Sequence, residues 1–222
     1  MDSGASAPCK VRLSRRLRAV AVVLTAAVLA GCGSPYYTSA PIEAWVVDAE
    51  TGAPIEGAVV TANWQLRGFT LDTGGSRNRQ LEVMETTTDS TGKFRFPGFT
   101  KINFGLDELG DEDPRILIFK PGYKYGGGKS SYPNGDGRGV KRVSQLIGKQ
   151  FAMMKSDNDI HQRAKDLRAL STNLMPIWSG GDNSKAAKML GAIACEAMRI
   201  QALEPKEAIP IFGEPDAQSS CR

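Results

Sequence analysis

Histidine is almost missing from this chain: His161 is the only one among 222 residues. One imidazole rules out a His-based zinc site and any repeated ligand set, and no metal or other cofactor is expected. Cysteine is scarce as well, at four residues, Cys9, Cys32, Cys195 and Cys221. No apolar run reaches the roughly 20 residues that a membrane-spanning helix requires. Excess charge is also absent once its location is considered. The formal +4 of the chain is held entirely by residues 1–31, which carry five Lys/Arg and one Asp. The remainder balances at 23 basic and 23 acidic residues. The basic isoelectric point therefore marks one end of the chain and is no nucleic-acid footprint.

That end has an order of its own. Lys10, Arg12, Arg15, Arg16 and Arg18 precede an apolar run from Ala19 to Ala30. A charged start, a short apolar middle and a small-residue exit are the layout of a secretory signal. Ser14-Arg15-Arg16 lacks the pattern that follows a twin-arginine signal and reads as basic flank. The exit, Leu29-Ala30-Gly31-Cys32, resembles the lipobox of bacterial lipoproteins. That resemblance implies cleavage before Cys32 and acylation of its sulfur and new amine. Two or three acyl chains anchor stably where one is marginal, at about 0.8 kcal/mol per buried methylene. Gly33, where Asp is absent, implies transfer to the outer membrane, facing the periplasm. The expected organisation is a signal peptide over 1–31, a lipidated tether over 32–41, a β-domain over 42–155 and a helical part over 156–222.

From Ile42 the texture is that of strands. Ile42–Asp48 and Ala58–Trp64 are β-rich, as is Leu81–Thr88. Asp89-Ser90-Thr91-Gly92 is a turn signal, and Lys93–Phe96 alternates so that Phe94 and Phe96 share one face. The two flanking runs are expected to form a hairpin around that turn. Ile116–Phe119 is continuously apolar, as a strand covered on both faces should be, and Pro121-Gly122 stops it. Short strands with turn signals and no intervening helix argue for a sandwich.

The succession Asp48, Thr51-Gly52, Pro54-Ile55, Gly57–Val60, Thr87-Thr88-Asp89, Gly92, Phe94, Phe96 and Ile118, Lys120–Tyr123 resembles a carboxypeptidase regulatory-like domain. The likeness covers roughly residues 40–125, with insertions at 68–80 and 100–114. It implies a transthyretin-like (prealbumin-like) antiparallel β-sandwich, and accessory or folding-support roles more than chemistry. The fold class is thus mainly β with C-terminal α, a sandwich plus a helical hairpin.

The last third changes period. Ile160, Ala164, Leu167, Leu170 and Leu174 recur at helical spacing after a cap at Ser156 or Asp157, and Pro176 is expected to end the run. Asp182, Asn183 or Ser184 begins a second helix to about Leu203, with Ala186, Leu190, Ile193, Ala197 and Ile200 as its buried stripe. Cys9 leaves with the signal and Cys32 takes lipid, so Cys195 and Cys221 remain. In an oxidising compartment they form a natural disulfide. The alternative is one buried thiol and one loose thiol on the tail.

Several constellations were weighed for chemistry. His161 lies off its apolar stripe and reads as a solvated side chain; pairing with Cys195 as base and nucleophile has no local support. Tyr125-Gly126-Gly127-Gly128-Lys129-Ser130 fails the phosphate-loop spacing, since Tyr123 stands where Gly is required. The carboxylates of residues 107–113 lack calcium-loop spacing and read as a solvated acidic loop. They are also the acids a glycan- or peptide-acting hydrolase would draw on, namely Asp107, Asp111 and Asp113. The glycine-rich stretch from Tyr123 to Gly139 is the candidate ligand loop, with Tyr123, Tyr125, Lys129, Tyr132 and Arg138 as contacts. Aromatic faces with hydrogen-bonding flanks suit sugars or peptides, while the plainer reading is a mobile connection. No catalytic residue is assigned. The expectation is a non-enzymatic envelope module, with an envelope protein or a glycan as its partner. A hydrolase or a carbohydrate-binding module is the alternative.

Overall fold

The computed structural model describes residues 36–69, 75–102, 107–110, 114–131, 141–156, 159–178, 183–207, 209 and 221. Cys32, Asp111, Asp113, Tyr132 and Arg138 lie outside these. Eleven strands precede two helices: β1 Tyr36–Ser39, β2 Ile42–Asp48, β3 Val59–Phe69, β4 Ser76–Thr87, β5 Lys93–Phe96, β6 Phe99–Ile102, β7 Glu108–Leu109, β8 Arg115–Phe119, β9 Gly126–Lys129, β10 Lys141–Arg142 and β11 Gln150–Met153. Helix α1 spans Ile160–Trp178 and α2 spans Ala187–Leu203, the latter entered through a 3-10 turn over Asn183–Ala186. None of the described helices is long and apolar enough to cross a membrane.

The strands form two layers. In the first, β1 and β2 are consecutive pieces of one chain run broken at Pro41, which has no N–H to give to a ladder. β6 and β5 pair with them antiparallel on one side; β10 and β11 pair with them parallel on the other. The second layer has the order β4-β3-β8-β9, all antiparallel, with β7 added beside β3. The mainly-β, antiparallel-dominated sandwich with two C-terminal helices is as expected; the two parallel pairs are the departure from an all-antiparallel scheme.

Strand periodicity builds two cores. Val60, Ala62, Trp64 and Leu66 of β3 face the first layer and meet Ile42, Ala44, Val46, Phe94 and Phe96. Trp64 packs edge-on against Phe96 and Phe99. The other face of the same sheet presents Val59, Val83, Leu117 and Phe119 to Leu167, Leu170, Leu174, Met189, Ile193 and Ile200. In β8, Ile116 and Ile118 therefore face the sandwich while Leu117 and Phe119 face the helices, which accounts for its unbroken apolar run. The result is three layers, sheet on sheet on helices. The helices run antiparallel, since Arg163 near the start of α1 pairs with Glu196 late in α2.

The residues behind the family resemblance lie mostly at corners. The carboxylate of Asp48 accepts the N–H groups of Glu50 and Thr51, each at 2.9 Å. Chiefly the Thr51 N–H holds its pKa down at about 2, against the opposing effect of burial. The buried hydroxyl of Thr88 donates to Ile55 O at 2.7 Å and accepts from Ala58 N at 2.8 Å. Gly92 sits at φ 71° with room for no side chain, because a Cβ would lie 2.4 Å from Val46 O.

Four local expectations are corrected. The sandwich starts at Tyr36, so the last part of the expected tether is strand β1. The turn at residues 89–92 is a corner between layers: β4 pairs with β3 and β5 pairs with β2, so no hairpin forms there. The expected insertion at 68–80 is in part strand, with β3 and β4 pairing as far as Phe69 and Ser76. Helix α1 continues through Pro176 to Trp178, and its first turn is capped by Asp159, whose Oδ1 accepts His161 N–H at 2.9 Å.

The third layer is tied on at three points. Glu82, with only 9% of its side chain exposed, accepts Lys101 Nζ at 2.7 Å from the first layer and Lys185 Nζ at 2.9 Å from the helical layer. Cys195 and Cys221 are joined by a disulfide with a Cα–Cα distance of 5.3 Å. Glu207 is held by both His161 and Arg168, and Ile209 is buried in the helical core. The tail is thereby stapled across the helices.

Candidate ligand groove beside the glycine strand

The glycine-rich stretch is not a loose connection where it is described: Gly126–Lys129 is an edge strand paired antiparallel with β8. Register places Lys129 opposite Arg115, Gly128 opposite Ile116 and Gly127 opposite Leu117. Continuing across β3, Arg115 lies opposite Asn63 and Leu117 opposite Thr61. On the helix-facing side of the sheet, successive rows therefore read Asn63–Arg115–Lys129 and Thr61–Leu117–Gly127. Gly126 and Gly128 turn to the sandwich interior, where added Cβ atoms would meet Met153 at 3.5 Å and Phe151 at 3.0 Å.

Position 127 allows no side chain. Its φ is 150°, and a Cβ would stand 2.1 Å from Ile116 O. With nothing projecting from Gly127, bare backbone separates Tyr125 from Lys129 along the strand. Helix α1 supplies a wall through Asn173, whose Nδ2 donates to Ala169 O at 3.0 Å and reaches Tyr125 Oη at 3.5 Å. Tyr125 itself packs on the helical core. The outcome is a solvent-open groove of about 500 Å³ lined by Arg115, Leu117, Tyr125, Gly127, Lys129 and Asn173.

A second, smaller hollow lies behind Tyr125. It has room for about one water, at about 20 Å³, and is bordered by Arg163, Asp166, Glu196 and Tyr123. Arg163 and the buried Glu196 form an ion pair there, while Arg163 Nε meets no partner among the described residues. Polar and water-sized, this space suits a structural water and no substrate.

The expected ligand contacts divide accordingly. Tyr125 and Lys129 border the groove. Tyr123 does not: its hydroxyl donates to Asp48 Oδ2 at 3.0 Å, and burial, together with that carboxylate, pushes its phenol pKa up. It ties the end of β8 to the turn after β2. Arg115 and Asn173 were missed in sequence. Arg115 opens an apolar strand, and Asn173 falls between Leu170 and Leu174 on a helix, so neither carries a signal of its own.

Asp107 corrects the picture of a solvated acidic loop. It is buried, covers Gly68, and its carboxylate pairs with Arg79 Nε at 3.2 Å. His161 is exposed, yet its Nδ1 lies 2.7 Å from Glu207 Oε1, and that hydrogen bond raises its pKa. Among the described residues no three of His, Cys, Asp or Glu converge to hold a metal ion.

No protein-family model matches the chain, and no curated protein matches it. Among solved structures it is similar to 3-chlorocatechol 1,2-dioxygenase from Rhodococcus opacus 1CP, at 18% identity and a TM-score of 0.32, over 54% of this chain and 61% of that one. It is similar also to the C-terminal domain of the shaft pilin SpaA from Lactobacillus rhamnosus GG, at 15% identity and a TM-score of 0.27, over 55% of this chain and 100% of that one. A 9R-lipoxygenase from Cyanothece PCC8801 follows at 11% identity and a TM-score of 0.27, over 78% of this chain and 25% of that one. The chain thus spans under two thirds of the dioxygenase.

Proposed function

We propose that the protein is a lipid-anchored envelope module, held by acyl chains on Cys32 to the periplasmic face of the outer membrane, that binds a ligand without transforming it. The observation carrying the binding part is the composition of the groove. Its lining offers an aromatic face, an amide and two cations on a paired strand and a packed helix, and contains no carboxylate, imidazole or thiol. The acid pair of a glycoside hydrolase has no counterpart there, and Asp107 is committed to Arg79.

Support for the anchor comes from the lipobox and from chain geometry. β1 begins four residues after Cys32, a span of at most about 14 Å, so an anchored sandwich would ride at the membrane surface. The strand end nearest the anchor exposes Tyr36 and its cross-strand partner Ile102, at 45% and 63%. An aromatic and an aliphatic residue there suit the headgroup boundary.

Fractionation and intact-mass analysis test the anchor. Native protein should sediment with outer membranes and carry acyl mass on Cys32, while Cys32→Ser should be released; an unacylated native amino terminus elsewhere would refute it. Binding is tested by retaining full-length protein from detergent-solubilised envelopes. Tyr125→Ala should reduce recovery of an envelope protein or glycan severalfold, and unchanged recovery would dismiss the groove.

A further inference from the structure

We propose that the groove takes an acidic saccharide, a short sugar chain bearing carboxylate or phosphate groups. The inference rests on the groove being a binding site and adds the class of ligand. Three features of one sheet face carry it.

The first is sign. Arg115 and Lys129 are direct cross-strand neighbours, a placement that brings their Cβ atoms within about 5 Å and is unfavourable for like charges. Neither is without protein contacts, so an anion would join an existing set of interactions. No acidic residue borders the groove, and an anionic group is the ligand that profits from the pair. The planar guanidinium of Arg115 suits carboxylate or phosphate oxygens bidentately.

The second feature is shape. Tyr125, Gly127 and Lys129 follow one another at alternate positions on the same face, so the trough extends about 13 Å. A lone inorganic ion would occupy only its cationic end. The missing side chain at Gly127 keeps the middle open, and the close approach to Ile116 O means that no other residue could stand there.

The third is the opposite end. The Tyr125 ring is steadied by the helical core and by Asn173, giving a rigid aromatic surface with an amide beside it. Aromatic faces stack on the C–H faces of sugars, and amides pair with hydroxyls. Cations at one end, an aromatic with an amide at the other and bare backbone between them match a charged sugar chain better than an acidic peptide, which would find no free strand pairing on this face.

Calorimetry on the full-length lipidated protein in detergent, with trigalacturonate as probe, tests the inference. Its methyl-esterified form, which keeps the rings and removes the charge, and inorganic phosphate are the comparisons. Trigalacturonate should bind at least ten times tighter than either and weaken as salt is raised. Lys129→Gln and Arg115→Gln should each lose about tenfold for the acid form and leave the ester unchanged, whereas Tyr125→Ala should weaken both. Thermal melts identify any variant that fails to fold, and Lys129, being exposed, keeps the test open if Arg115→Gln does not. Equal binding of acid and ester, phosphate binding as tightly as trigalacturonate, or no binding at all would overturn the inference. If the retention from envelopes described above still depends on Tyr125 while trigalacturonate does not compete, the binding reading stands and the acidic-sugar assignment alone fails.

Discussion

Glu85, in the middle of an edge strand, caps a helix more than a hundred residues away: its carboxylate accepts Met189 N–H at 2.6 Å and Lys188 N–H at 2.8 Å. The residue before α2, Ala186, has no side chain to do this, so the sheet provides the cap. Burial pushes the Glu85 carboxyl up, although both N–H groups pull it down. Glu85→Ala should cost about 1–2 kcal/mol, the range of a lost cap. Glu85→Gln should cost less, because it keeps one acceptor and removes a charge that burial already opposes. Urea unfolding of the two variants measures the difference; equal losses would show that the cap contributes nothing specific.

The disulfide between Cys195 and Cys221 closes a loop with a sequence separation of 26. In the chain-entropy account, a closure of that length restricts the unfolded state by about 3–4 kcal/mol. Reduction, or Cys221→Ala, should lower the urea midpoint accordingly, with Cys195 becoming available to alkylation only on unfolding because it is buried at 7% exposure. Two alkylatable thiols in native, unreduced protein would remove the bridge from the account.

Attachment of the tail should depend on pH through His161 and Glu207. The hydrogen bond from Glu207 raises the His161 pKa above 6.5. A raised folded value means stability that is complete below the unfolded pKa and lost as pH rises through the folded one. Glu207 is shifted down from 4.5, first by His161 and then by Arg168, so its share is present above 4.5 and lost as pH falls through the lower folded value. The two windows overlap between about 4.5 and 6.5. Hydrogen exchange over residues 204–209 should be slowest there and quicken on either side. His161→Gln should abolish the alkaline change and leave the acidic one; a flat profile across pH 6–8 in the unmodified protein would contradict the pairing.

How much of this was legible in sequence follows from where each signal resides. Ile42–Asp48 and Lys93–Phe96 could be read to the residue because alternation and turn chemistry are local. The partner of Lys93–Phe96 could not: Asp89 and Gly92 specify a turn equally well in a hairpin or at a corner between sheets, and β5 pairs with a strand some fifty residues earlier. The buried stripe of α2 was plain from its period. Its cap was not, since Glu85 looks like any outward strand residue. The groove was half visible, Tyr125 and Lys129 from their glycine setting. Arg115 and Asn173 join it only through register and helix placement. The strand itself was hidden because glycine is depleted in strands and offers no pattern to read.

That hidden strand gives the sharpest test of the architecture. Gly127 combines a φ of 150° with a forbidden Cβ position, 2.1 Å from Ile116 O. Gly127→Ala cannot be accommodated by a rotamer, because the obstacle is backbone; β9 must shift away from β8 or detach. Holding a non-glycine residue in such a conformation costs about 1–3 kcal/mol. The steric clash adds to that, so a urea-measured loss at or above the top of this range is expected, with exchange of the β8 amides accelerated beside it. Gly126→Ala is the control: its Cβ would meet Met153 only at ordinary contact distance, 3.5 Å, and the loss there should be well below that of Gly127→Ala. If the two substitutions cost the same, the edge strand is not paired in this register, and the trough between Tyr125 and Lys129 would not exist as described.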